Sequence, residues 1–270
     1  MQVVEAKGFR IPIIGLGTWA LRGRDCARLV EQAIRIGYRH IDTAQMYDNE
    51  AEVGEGVRAS GLRAGVMVTT KVQPQSLAPQ DLERSVKESL AKLRFDAIDL
   101  LLIHWPNPRV PLAETLGAMA KMKHEGFVKQ IGVSNFTVAL LAEASKLSRE
   151  LVCNQVECHP FLDQDKVIAA CRKAGMAVVA YSPIARGGAK GDKVLERIGK
   201  AHGKTAAQVC LRWLTQQGIV VIPRTSKIER LAENRDILDI ELSDAEMKEI
   251  AGLARSKGRI VDWSWSPKWD

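Results

Sequence analysis

The sequence predicts an α/β chain folded as a (β/α)8 TIM barrel, with a short N-terminal β-hairpin and an extra C-terminal helix. Three observations carry this. Short β-branched runs alternate eight times with longer segments whose apolar residues recur at helical spacing. Most of the short runs hold few polar residues before their last position, as strands buried on both faces of a parallel sheet require. The 270 residues pass without a linker, a low-complexity stretch or a shift in composition. The eight units are therefore expected in one barrel domain, 1–270, rather than two domains.

The elements follow in order. Residues 1–13 precede the first unit, and Gly8 marks the turn of the expected hairpin on the barrel floor. Strands are expected at 14–18 (IGLGT), 39–43 (RHIDT), 66–72 (VMVTTKV), 97–104 (AIDLLLIH), 129–134 (KQIGVS), 152–157 (VCNQVE), 177–182 (AVVAYS) and 219–222 (IVVI). Helices are expected at 25–36, 48–60, 79–93, 111–125, 137–147, 163–174, 192–216 and 227–235. A further helix fits 243–254, opening on Ser243-Asp244-Ala245-Glu246, a capping-box pattern.

Composition narrows the function classes. Apolar residues make up 46% and charged residues 26%, which reads as a soluble globular chain. No run approaches the ~20 apolar residues that cross a bilayer, and Met1–Glu5 shows no basic-then-apolar signal pattern. Five cysteines, an odd number without C-x-x-C, read as buried thiols in a reducing compartment, so a cytoplasmic location is expected. Net charge is +7, but Lys and Arg are spread along the chain with no basic run, which argues against nucleic acid as a partner. His159 and His202 belong to no metal-ligand spacing, so no metal is expected.

Gly15-Leu16-Gly17-Thr18-Trp19-Ala20 matches the G-x-G-x-x-A dinucleotide fingerprint, with Asp42 at the right distance. The pattern is set aside because the next helix starts near Asp25, whereas a phosphate loop must open directly into its helix.

In such a barrel the catalytic groups come from the C-terminal ends of several strands. Strand two ends in Asp42 with Tyr47 just beyond, strand three in Thr69-Thr70-Lys71, strand four in His104-Trp105-Pro106. Singly, each has a plainer explanation: a surface charge for Lys71, a packing residue for His104, a half-buried helix anchor for Tyr47. Together they place a carboxylate, a phenol, an ammonium and an imidazole at one mouth. A cation beside a phenol lowers its pKa, so Lys71, held charged by Asp42, is expected to make Tyr47 a general acid near neutral pH. His104 is expected to donate to a carbonyl oxygen. A rival role for Lys71 is that of a Schiff-base nucleophile, as in barrel aldolases.

A second cluster follows the last strand, in VIPRTSKIERLAEN, residues 221–234. Arg224, Lys227 and Arg230 surround a helix start, with Thr225 and Ser226 as caps. Cations there work against the helix dipole and make sense if a phosphate docks.

These motifs resemble those of the aldo-keto reductase family. The resemblance rests on Gly37-Tyr38-Arg39-His40-Ile41-Asp42-Thr43-Ala44, Glu50, Val53-Gly54, Lys71, His104-Trp105-Pro106, Gly132-Val133-Ser134-Asn135-Phe136, Asn154-Gln155, Tyr181-Ser182-Pro183 and Ile222-Pro223-Arg224, leading to Arg230 and Glu233-Asn234. It runs from about Ile11 to the C-terminus. The short loops and the SPKWD tail are similar to bacterial members of the 2,5-diketo-D-gluconate reductase type. The resemblance implies hydride transfer from NADPH to an aldehyde or ketone, with Asp42, Tyr47, Lys71 and His104 as the catalytic tetrad and Tyr47 as proton donor. It implies Ser134, Asn135 and Gln155 on the nicotinamide carboxamide, Tyr181 stacked on the ring, and Ser182 among the cofactor contacts. It also implies Arg224, Thr225 and Arg230 on the adenosine 2′-phosphate, and Glu233 and Asn234 at the adenine and its ribose. The small-molecule carbonyl substrate is expected between Trp19, Tyr47, His104 and Trp105, in a monomer. A non-catalytic NADPH-binding regulatory module is the remaining alternative. Arg224-Thr225 replaces the family's common Lys-Ser. Trp263, Trp265 and Trp269 either cover the pocket or pack on the barrel.

Overall fold

The computed structural model describes residues 2–270. A hairpin comes first: β1 (Val3–Ala6) pairs antiparallel with β2 (Phe9–Pro12). Lys7 and Gly8 form its two-residue turn, both left-handed at φ 51° and 78°, the geometry that matches the twist of paired strands. Ala6 and Ile11 are buried against Met67, Leu100, Val152 and Val220, so the hairpin plugs the floor of the barrel.

Eight parallel strands follow: β3 (Leu16–Gly17), β4 (His40–Asp42), β5 (Met67–Val72), β6 (Ile98–Ile103), β7 (Val128–Ser134), β8 (Leu151–Glu157), β9 (Ala177–Tyr181) and β10 (Val220–Val221). They pair in chain order. Parallel bridges from Ile14 to Val221 and from Gly17 to Arg224 join the last strand to the first. The Gly15 N–H donates to the Val221 carbonyl at 2.8 Å and the Gly17 N–H to that of Pro223 at 3.1 Å. All eight expected strands are present, and β5 and β6 are buried at every position.

The two glycines of the fingerprint-like run serve this closure. A Cβ at Gly15 would lie 2.7 Å from the His40 ring, and one at Gly17 would lie 2.7 Å from the Ile222 carbonyl. Residues 18–22 separate Gly17 from α1 (Gly23–Arg35), so no helix opens on the glycine loop. That helix begins two residues before the expected 25–36.

The outer ring continues with α2 (Glu50–Ala59), α3 (Pro79–Leu93), α4 (Leu112–His124), α5 (Val138–Leu147) and α6 (Asp165–Lys173). The helix expected over 192–216 is two: α7 (Lys193–His202) and α8 (Ala206–Gln216). Gly203, left-handed at φ 65°, ends the first. Thr205 and Gln208 then form a reciprocal capping box on the second. The last two helices are α9 (Glu229–Arg235) and α10 (Asp244–Ala251), the latter capped by Ser243 and Glu246 as expected. No helix among the described residues is long and apolar enough to cross a membrane. All five cysteines are buried and unpaired.

Helices α2 and α3 meet where α2 carries Gly54. A Cβ there would sit 2.2 Å from the Leu93 carbonyl, a backbone atom that cannot step aside. Gly54→Ala is expected to lower stability by about 2 kcal/mol through overpacking, read as a fall in the urea midpoint at unchanged m-value.

Candidate active site

The barrel register brings four side chains to one mouth. Asp42 ends β4. The chain then breaks into a short 3-10 turn, Gln45–Tyr47, that turns the Tyr47 phenol back over the strand ends. Lys71 lies one residue from the end of β5, and His104 follows β6 directly. The Lys71 ammonium is fully buried. It donates to Asp42 Oδ1 at 2.5 Å, to the Thr43 carbonyl at 2.8 Å and to Tyr47 Oη at 3.4 Å. Asp42 Oδ2 accepts from Gln155 Nε2 at 2.7 Å. The His104 ring meets the Tyr47 ring edge-on, centroids 5.5 Å apart.

Electrostatics fix the resting protonation states. Burial alone would pull the Lys71 pKa down, but the Asp42 charge opposes it and the net direction is upward, so Lys71 stays an ammonium. Burial pushes the Asp42 carboxyl above its ordinary range, opposed by Lys71 and the Gln155 amide. Lys71 and Asp42 form a buried ion pair. The Tyr47 phenol departs from the sequence expectation. Lys71 does pull its pKa down, but burial is larger and pushes it above the usual 10. Lys71 therefore limits the rise, and Tyr47 rests as a protonated phenol.

Burial and the Lys71 charge hold the His104 imidazole well below its ordinary pKa, hence neutral. Its Nδ1 is buried without a partner. An orphaned N–H is rarer than an orphaned acceptor, so we assign the lone pair to Nδ1 and the proton to Nε2.

A cleft of about 640 Å³ opens over this cluster, walled by Trp19, Trp105, Ser134, Asn135, Tyr181 and Ser182 among others. That size suits a small-molecule site. The Ser134 hydroxyl donates to the Gln155 carbonyl at 2.8 Å, and Asn135 Nδ2 to the His104 carbonyl at 2.9 Å. Tyr181 Oη donates to Asn135 Oδ1 at 2.9 Å. Asn135 and Ser182 are both left-handed, at φ 63° and 50°, so backbone strain gathers at the cleft.

Arg224 and Arg230 line the same cleft. Arg224 Nε donates to the Trp19 carbonyl at 3.3 Å. Thr225 is buried, and its hydroxyl accepts from the Lys227 N–H at 3.0 Å. Glu233 and Asn234 are not in the cleft wall; Glu233 accepts from the Thr205 hydroxyl at 3.0 Å and Asn234 is buried. The sequence reading missed several wall residues: Met46, Ile184, Arg186 and Val261. Arg186 stacks on the Trp19 ring at 4.7 Å, spanning the cleft from a loop with no motif of its own. Trp263 and Trp265 line the cleft, whereas Trp269 packs on Arg259 and Trp105.

Beneath the site, His40 is wholly buried, and burial with the Lys71 charge drops its pKa to about 3. The unfolded chain takes up a proton near pH 6.5 that the folded chain refuses, so His40 costs stability as pH falls below 6.5. His40→Gln is expected to flatten the decline in unfolding free energy between pH 6 and pH 5 by about 1.4 kcal/mol per pH unit. An unchanged slope in urea titrations would contradict this.

The model of the Aldo/keto reductase family matches residues 13–255. A methylglyoxal reductase DkgB of Yersinia pestis is 40% identical over 265 residues, covering 96% of this chain and 99% of that protein. A glyoxal reductase of Bacillus subtilis is 38% identical over 253 residues, covering 93% and 91%. A crystal structure bearing the provisional name 2,5-diketo-D-gluconic acid reductase B superposes with a TM-score of 0.98 at 46% identity, covering 100% of this chain and 98% of the other.

Proposed function

The chain belongs to the aldo/keto reductase family, and we propose that it is an NADPH-dependent reductase of small aldehydes and ketones, with Tyr47 as the proton donor. The observation that carries this is Lys71 Nζ standing between Asp42 at 2.5 Å and the Tyr47 hydroxyl at 3.4 Å under an open cleft.

The residues in and beside the cleft support a nicotinamide cofactor carrying a 2′-phosphate. Arg224 and Arg230 form an ion pair with no carboxylate among the described residues, so their charge is free for a 2′-phosphate, with Thr225 beside them. Ser134, Asn135, Gln155, Tyr181 and Ser182 would hold the nicotinamide end, and Glu233 and Asn234 the adenosine. When bound, NADPH supplies the hydride. The protein's own part is electrostatic and protic. The Tyr47 hydroxyl gives its proton to the carbonyl oxygen as negative charge grows there. Lys71 stabilises the phenolate left behind, and Asp42 keeps Lys71 charged. The His104 Nε2–H donates to the same oxygen and orients it. Trp19 and Trp105 wall the substrate end.

The relatives' names suggest short 2-oxoaldehydes and keto-sugar acids as substrates. The test is NADPH oxidation across simple aldehydes, methylglyoxal and keto-sugars, with NADH alongside. Tight NADPH binding without turnover on any of them would instead favour the regulatory-module reading. The Schiff-base alternative needs a neutral Lys71, which Asp42 opposes.

Arg230→Ala is expected to raise the KM for NADPH about 10- to 100-fold, the worth of a charge-assisted hydrogen bond, while kcat and the KM for NADH barely move. Equal losses with both cofactors would remove Arg230 from the phosphate site.

A further inference from the structure

After α10 ends at Ala251 the chain forms no helix or strand, yet it walls the catalytic cleft with Val261, Trp263 and Trp265. A strap of this kind leaves its backbone N–H groups without ladder partners and must be anchored from outside. Three anchors are visible. The Arg255 N–H donates to the Phe161 carbonyl at 3.1 Å. At the far end the Asp270 carboxylate accepts from the Val138 N–H, at the start of α5, at 3.0 Å. Between them lies Glu157, the last residue of β8, fully buried. Its Oε1 accepts from the Ile260 N–H at 2.7 Å and its Oε2 from the Val261 N–H at 2.8 Å. His159, also fully buried, holds Oε1 from behind through Nε2 at 2.9 Å.

A buried carboxylate is costly unless its oxygens are satisfied, and both oxygens of Glu157 are engaged by strap backbone. The carbonyl-reducing cluster makes no use of it. We propose that Glu157 is a positioning residue for substrate specificity: it pins Val261, and with it Trp263 and Trp265, as the outer wall of the substrate end of the cleft. Trp105 transmits the position inward, since its ring meets Trp265 at 5.1 Å and lines the cleft itself. Substrates that extend past the carbonyl to an apolar or aromatic group touch this wall. A three-carbon carbonyl does not need it.

The inference rests on the carbonyl-reductase reading, and its test separates the two. Glu157→Gln keeps the shape but leaves one acceptor oxygen for two strap N–H groups. Relative to the parent chain, it is expected to raise the KM for an aromatic aldehyde about 10-fold, the low end of a charge-assisted hydrogen bond. The kcat/KM for methylglyoxal should stay within about twofold by the same reasoning. Trypsin should cut the strap of the folded variant, at Lys257 and Arg259, about 10-fold faster, because the same hydrogen bond holds the strap closed. Ile260→Pro removes one N–H from the other side of the contact without touching the cleft wall and should reproduce both effects, with cutting read at Lys257 because Arg259 then precedes a proline, so the idea stays testable if the glutamine variant folds poorly. Unchanged cutting, or a fall in kcat alike for both substrates, would overturn the proposal. If the parent chain reduces no carbonyl, the reductase reading fails while the proteolysis still reports on the clasp.

Discussion

Tyr47→Phe is expected to lose about 10²- to 10⁴-fold in kcat, the range a positioned general acid contributes, while the affinity for NADPH is unchanged. The reasoning is local. The hydroxyl is the only part removed, and the ring that meets His104 edge-on remains. The Lys71 ammonium keeps its contacts to Asp42 and the Thr43 carbonyl, so its charge stays satisfied. Thermal stability should therefore move little, and fluorescence titration with NADPH should give the parent affinity. The resting phenol is protonated, because burial outweighs the pull of Lys71. The rate is accordingly expected to hold through neutral pH and to fall only on the alkaline side, where the phenol would ionise. Wild-type aldehyde turnover by the phenylalanine variant would remove Tyr47 from the mechanism.

The barrel and its mouth were legible because they follow from periodicity and one topological rule. Strands buried on both faces cannot alternate, so β6 announces itself as a largely apolar run, and the polar residues at the C-terminal ends of such strands must converge. Asp42, Lys71 and His104 are of this kind. Tyr47 was found because five residues after a strand end still reach the same mouth. The break between α7 and α8 was present as Gly203 followed by Thr205 and Gln208, and a continuous apolar stripe concealed it. Two features had no local signal. Glu157 grips N–H groups more than 100 residues away, at |i−j| 103 and 104. The balance at Tyr47 depends on how deeply the ring is packed, which no spacing reveals. Charge proximity was readable, but the competing burial was not, and the expected direction of the phenol's shift was therefore reversed.

Lys71→Met should show how much of the site's charge balance serves catalysis and how much serves the fold. Removing one member of a buried ion pair leaves Asp42 uncompensated, and stability is expected to drop by about 3–5 kcal/mol. The loss should depend on pH in a defined sense. Burial already pushes the Asp42 carboxyl upward, and without Lys71 nothing but Gln155 opposes it. A carboxyl whose folded pKa exceeds its unfolded one costs stability above the unfolded value. The variant should therefore be more stable at pH 5 than at pH 7.5, relative to the parent. Adding Asp42→Asn removes the stranded charge while an amide can still meet Gln155, so the double variant should recover most of the lost stability. It should not recover turnover, because nothing then stabilises the phenolate formed when Tyr47 gives up its proton. Urea unfolding at two pH values and a single-turnover reduction assay read the two effects separately. A double variant that reduces aldehydes at the parental rate would show that Lys71 matters only to the fold.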